Sequence, residues 1–168
     1  MYDETMDVDT SDYAGFGLRL VAWLIDFIMI AIVSGGAMTV LAALGLTAIG
    51  GIEGLEEMSH NIDDVPPGVK AGVMAAYFGF LGFMGIAAWL YFALMESSYR
   101  QATLGKMAVG IQVTNMDGGR ISFLNATGRY LGKIISGMIM YIGYIMAAFT
   151  ERKQALHDMM ASTLVLRK

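Results

Sequence analysis

The residues with the most chemistry in prospect are an arginine and an aspartate inside an apolar run. Arg19 and Asp26 are the only charges between Leu18 and about Ile49. Seven residues apart, they share a helix face and lie about 10 Å apart along its axis, too far for a comfortable direct salt bridge. An acid within hydrocarbon is costly, about 2.5–3.5 kcal/mol at the centre and less off centre, and so is by default a functional candidate. Low polarity favours the neutral form of a carboxyl, which suits proton or cation binding. The later sequence offers Arg100, Lys106 and Arg129 as ion-pair partners for Asp26. The plainer readings are a register-fixing ion pair for Asp26 and a snorkelling anchor for Arg19.

A second charged group follows the last apolar stretch, where His157 and Asp158 are neighbours. Adjacent helical residues point about 100° apart and do not face each other. The other histidine, His60, falls on the opposite expected side, so no metal set forms. Asp158 fits better as the partner of an arginine from the central stretch, or as the cap of a helix start. The run TLGKM at 103–107 lacks the first glycine and the Ser/Thr of a phosphate-binding loop. Asn125-Ala-Thr127 matches a glycosylation sequon but falls in the expected cytoplasmic loop. The chain has no cysteine, which excludes disulfides, thiolate metal sites and cysteine nucleophiles. No Ser–His–Asp set assembles, so neither an enzyme nor a cofactor is expected.

These charges must be positioned by helices in a bilayer. The 168 residues are 56% apolar and 15% charged, against about 25% charged in soluble domains. Two transmembrane helices are expected, over about 18–46 and 71–95, since about 20 apolar residues suffice to cross. The acidic head, 1–12, has no basic segment and is not a signal peptide, so the first apolar run stays as an anchor. That head is expected to be disordered, and 13–168 to form one membrane domain. Gly79, Gly82 and Gly85 in the second span suit close helix packing, within the monomer or between copies. The basic residues form no broad surface, so nucleic acid is not an expected partner.

The polar stretch from Ser97 to Arg129 reads as a small β-element. Val109 to Thr114 alternates as a strand, Asn115-Met-Asp-Gly-Gly turns, and Arg120 to Phe123 returns. Ser162 to Arg167 reads as a third strand. The third apolar segment, about 130–149, either crosses or re-enters. A full crossing divides the eleven Lys and Arg six to five between the two sides; re-entry divides them ten to one, with Lys70 alone outside. The positive-inside rule prefers re-entry, with the N-terminus and central loop cytoplasmic. The fold class is therefore an all-α membrane protein with two crossing helices, a third re-entrant or spanning segment and a small hairpin or three-stranded element.

Three ordered blocks carry a resemblance: GFGLRLVAWLID at 15–26, RQATLGKMAVGIQV at 100–113 and RKQALHDMMASTLV at 152–165. Together the chain resembles the RDD family of prokaryotic membrane proteins, named for one arginine and two aspartates. Arg19, Asp26 and Asp158 match that signature; at Ser162 the family often has glycine. The resemblance implies a cytoplasmic-membrane protein, with a suggested transport role that includes cation/proton exchange. In that reading Asp26 binds the proton or cation, Arg19 sets its charge state and Asp158 ties the sheet to the membrane part. The partners expected are the lipid bilayer, an inorganic cation or proton, and further copies of the chain. The alternative is a non-transporting scaffold or assembly accessory.

Overall fold

A computed structural model describes residues 12–48, 51, 54, 65–139 and 142–168. Apart from Asp12, the acidic head lies outside the described residues, as does the acidic loop at 53–64 except for Gly54. The elements in order are α1 (Phe16–Ala48), α2 (Pro67–Ser97), α3 (Leu104–Ala108), β1 (Ile111–Asn115) and α4 (Phe123–Met138). Then come α5 (Ile142–Ile145), a 3-10 turn (Met146–Ala148), α6 (Leu156–Met160) and β2 (Thr163–Arg167).

The two long helices form where the apolar runs predict them. At 33 and 31 residues both exceed the roughly 20 needed to cross hydrocarbon. Pro67 sits at the first position of α2, where its missing N–H costs nothing. Both helices are long and apolar enough to span a membrane. Large apolar side chains stand outward along them, Ile32, Val33, Val73 and Phe83 among them. In water such a surface would drive aggregation; in lipid it is the solvated face.

The chain divides into two compact units, Met1–Ile28 with Ala88–Lys168, and Met29–Ala87. The described residues of the second are mostly helical and none of them is buried. Gly79, Gly82 and Gly85 lie there, and a Cβ built on any of them meets no atom within 4 Å among the described residues. Among the described residues, then, nothing packs closely against these three glycines.

The first unit holds the core: Ala14, Ala22, Ala93, Ile111, Val113, Ile121, Ala126 and Val165. Its sheet has two antiparallel strands, with Ile111 opposite Arg167 and Asn115 opposite Thr163. Tyr13 adds a bridge to Leu166, and the Ala14 N–H donates to the Val165 carbonyl. The expected pairing of the 162–167 strand with the central strand forms, but the return strand at Arg120–Phe123 does not. Ser122 instead caps α4, its hydroxyl accepting from the Asn125 N–H at 3.1 Å. A serine cap ahead of a helical pattern outcompetes a short strand. The turn at Asn115–Gly119 does form, closed by the Asn115 side chain accepting from the Asp117 and Gly119 N–H groups.

The third apolar segment is a bent pair: α4 and the 142–148 stretch differ in direction by 117°. The buried positions of α4, Ala126, Arg129, Gly132 and Ser136, are small or polar, while Leu124, Leu131 and Met138 stand outward. That inverts a soluble helix, as a helix with an apolar surround requires. The chain leaves the sheet at Asn115 and rejoins it at Thr163, so the bent pair departs and returns at one place. Ser162 turns the chain into β2 at φ +50°, a left-handed conformation that favours glycine.

Candidate functional site

Charged side chains from five elements converge in the first unit. Asp158, in the first turn of α6, is completely buried and binds two arginines. Arg19 from α1 donates to its Oδ2, and Arg129 from α4 lies 2.7 Å from its Oδ1. Its Oδ2 also accepts from the Ala155 N–H at 3.1 Å, capping the helix start. Asp158 thus fills both roles expected of it. Arg19 is further fixed by donating to the carbonyls of Ala14 and Lys153, at 2.8 and 2.7 Å. Arg129 also donates to the Thr163 hydroxyl at 2.9 Å, and that hydroxyl reaches the Asp158 carbonyl at 3.3 Å. Through these contacts Asp158 joins the first helix, α4 and β2.

Glu96, near the end of α2 and also fully buried, is the second anion. Lys106 lies 2.6 Å and Lys133 2.9 Å from its Oε1, and Arg129 lies 3.1 Å from its Oε2. Arg129 bridges the two carboxylates. Sequence reasoning singled out neither Glu96 nor Lys133. A signal was available: Glu96 is the only acid between Asp64 and Asp117, a stretch that also holds Lys70, Arg100 and Lys106.

Asp26 takes a different course. It is buried, yet no Lys or Arg lies within ion-pairing distance among the described residues. The expected cationic partners go elsewhere: Arg129 and Lys106 to the cluster, Arg100 to an exposed bond with the Tyr99 hydroxyl. Uncharged donors hold Asp26 instead. Thr103 Oγ1 donates to Oδ2 at 2.6 Å, while Tyr91 Oη and the Gly105 N–H donate to Oδ1, both at 2.8 Å. A short, well-capped helix explains this. Thr103 caps α3 by accepting from the Lys106 N–H at 3.4 Å while its proton points to Asp26. Gly105 permits the approach: any Cβ there would overlap the Ala22 carbonyl and crowd the Asp26 carboxyl. Arg19, committed to Asp158 and two carbonyls, makes no bond to Asp26.

The electrostatics of the cluster follow from burial. Desolvation raises the Asp158 carboxyl, but Arg129 and Arg19 outweigh it and hold it below the usual carboxylate range. Burial lowers His157 to about 3; Asp158 opposes this while Arg129, Lys133 and Arg19 reinforce it. The imidazole is therefore neutral. Its Nε2 lies 3.4 Å from Asp158 Oδ1, so these sequence neighbours do meet, contrary to expectation. Burial also lowers Lys106 to about 7, with Glu96 opposing and Lys133 and Arg129 adding to the effect.

Beside the cluster lies a cavity of about 590 Å³. Arg19, Asp26, Lys106, Arg129, Lys133 and His157 all line it, with apolar walls from Leu20, Trp23, Phe92, Tyr130 and Ile134. Its size falls within the range of small-molecule sites. Among the described residues no group of three or more His, Cys, Asp or Glu could hold a metal ion.

Two helices long and apolar enough to span a membrane, with Arg19, Arg129, Glu96 and Asp158 in one buried ionic cluster and Asp26 buried apart from it, mark a small helical membrane protein. The chain belongs to the RDD family, whose model matches residues 13–162. It is 34% identical over 155 residues to "Uncharacterized protein YxaI" of Bacillus subtilis (strain 168), covering 92% of this chain and 97% of that protein. It is also 30% identical over 165 residues to "Uncharacterized membrane protein YteJ" of the same organism, covering 95% and 84%. No solved structure matches the chain.

Proposed function

We propose that this protein moves a small solute or ion across the cytoplasmic membrane, with the cavity beside the charge cluster as its binding station. The observation that supports this best is the shared lining: a buried aspartate and four cations border one 590 Å³ space beside helices of membrane-spanning length. A purely structural cluster would fill that space with side chains, because protein interiors are close-packed. Asp26 is the coupling residue. The hydroxyls of Thr103 and Tyr91 can each reverse from donor to acceptor, exposing oxygens to an arriving proton or cation.

In this reading the bent pair re-enters, since the strands flanking it are bonded to each other. Ten of eleven basic residues then share the cytoplasmic side. Two crossing helices make a thin wall, so transport needs several copies, and the open face at Gly79, Gly82 and Gly85 suits that contact. No catalytic step is assigned. A scaffold role would need the same cluster but no accessible cavity.

Flux into vesicles reconstituted with purified protein tests the reading. The native chain moves a cation or drives proton exchange, and Asp26→Asn, if still monodisperse and helical, loses most of that flux. Flux absent from the native protein across the alkali cations and protons, or unchanged by Asp26→Asn, overturns it.

A further inference from the structure

The charge cluster is short of anions. Arg19, Arg129, Lys106 and Lys133 share only the carboxylates of Glu96 and Asp158. Even with Asp26 ionised, the cations around the cavity outnumber the acids among the described residues. A buried charge without a counter-charge is costly. All four cations line the cavity, whereas Glu96 and Asp158 do not. The space therefore presents four cations against a single lining acid, Asp26, which its own hydrogen-bond donors already hold, and hydrocarbon elsewhere.

We infer that this cavity binds the phosphate head of an anionic membrane lipid, with Lys106 and Lys133 as its principal contacts. The inference rests on the cavity being the protein's working site. Each lysine donates to one carboxylate oxygen, Oε1 of Glu96, and an ammonium carries three N–H donors. Both can therefore donate to a phosphate oxygen without releasing Glu96. Lys133 also lies over the Phe92 ring at 4.6 Å, which holds its ammonium in place. His157 contributes a further polar position. Its Nδ1 is buried without a hydrogen-bond partner among the described residues. With Nε2 toward Asp158, Nδ1 of the neutral ring accepts from a head-group hydroxyl. The apolar wall suits an acyl chain, and Leu20 and Trp23 are both lining and outwardly exposed, so the same surface continues into lipid.

Trp23 lines the cavity and Trp89 does not, which supplies a reporter. In Trp89→Phe protein, Trp23 fluorescence is read in bilayers of phosphatidylcholine containing equal mole fractions of dibrominated phosphatidylglycerol or dibrominated phosphatidylcholine. Preferential occupancy makes the anionic lipid the stronger quencher, by about fivefold in apparent affinity per cation engaged. Lys133→Gln removes about one such factor and Lys133→Arg restores it. Equal quenching by the two lipids overturns the inference. So does loss of the preference on adding millimolar inorganic phosphate, which makes this a soluble-anion site, or recovery of Trp23 fluorescence on adding unbrominated stearate, which makes it a fatty-acid site. Should Lys133→Gln fail to fold, the comparison of lipids on the native lysines still decides. The measurement uses no gradient, so flux without lipid preference overturns this inference alone, and preference without flux overturns only transport.

Discussion

Two buried carboxylates a short distance from the same cavity are satisfied in opposite ways. Asp158 is held by two guanidinium groups and shares one of them with Glu96; Asp26 is held by two hydroxyls and a backbone N–H. The contrast follows from what each must join. Asp158 links parts distant in the chain, where charge supplies reach and strength. Asp26 docks one short helix onto α1, where fixed dipoles suffice and leave the carboxylate uncommitted to any cation. The ionic pole is built for permanence, whereas the neutral pole can exchange its donors. The geometry assigns anchoring to Asp158, and the coupling proposed for Asp26 rests on its having no cation partner among the described residues.

The sharpest way to break this comparison is to remove one charge from each pole. Asp158→Asn strands two buried arginines and should cost about 3–5 kcal/mol. Asp26→Asn loses hydrogen bonds but strands no cation, and should cost about 1–3 kcal/mol. Unfolding of the two variants in the same detergent measures the gap; equal losses would erase the distinction between the poles. Next in size is Gly105→Ala, which forces α3 off Ala22 and should cost about 1–3 kcal/mol through overpacking. Gly82→Ala, facing open space, should leave monomer stability level or slightly raised, and circular dichroism melts compare the pair directly.

Acid should act on the ionic pole. Unfolded, His157 takes up a proton near its ordinary 6.5; folded, it does so only at about 3. The unfolded chain therefore binds more protons in that interval, and stability declines as pH falls from about 6.5 toward 3. Asp158 adds to the loss further down, because the stability its carboxylate contributes disappears as pH drops through its depressed folded value. His157→Gln should flatten the melting temperature between pH 6.5 and 4 while leaving the steeper loss below. A wild-type slope in the variant would assign that decline to other groups. The smallest effect expected is a gain: Ser162→Gly relieves the left-handed backbone before β2, worth about 0.5–1 kcal/mol by denaturant titration.

Much of the fold was legible because hydrocarbon imposes simple rules. Apolar length located α1 and α2 within a few residues, and alternation located β1 and β2. Asp158 was readable as an acid in need of an arginine from the central stretch, which Arg129 supplies. Its bond to Arg19 was not readable, because Arg19 shares a helix face with Asp26 and drew the eye there. The partner of Asp26 was not readable. A hydroxyl at Thr103 and a backbone N–H at Gly105 carry no charge to betray them, and their approach depends on a missing Cβ. The bend in the third segment was half legible. The division of Lys and Arg favoured a return, but the seating of His157 on Gly132 and of Ser136 against Gly143 is a tertiary fact.

The bond between Arg19 and Asp158 spans 139 positions of sequence. During translation the first helix therefore reaches the bilayer long before its carboxylate has been made, and Glu96 precedes both Arg129 and Lys133. Until α6 exists, Arg19 lacks the carboxylate that holds it, and until α4 exists Glu96 lacks Arg129 and Lys133. The ionic cluster therefore closes last, and the order of synthesis separates insertion of the long helices from the fixing of their charges.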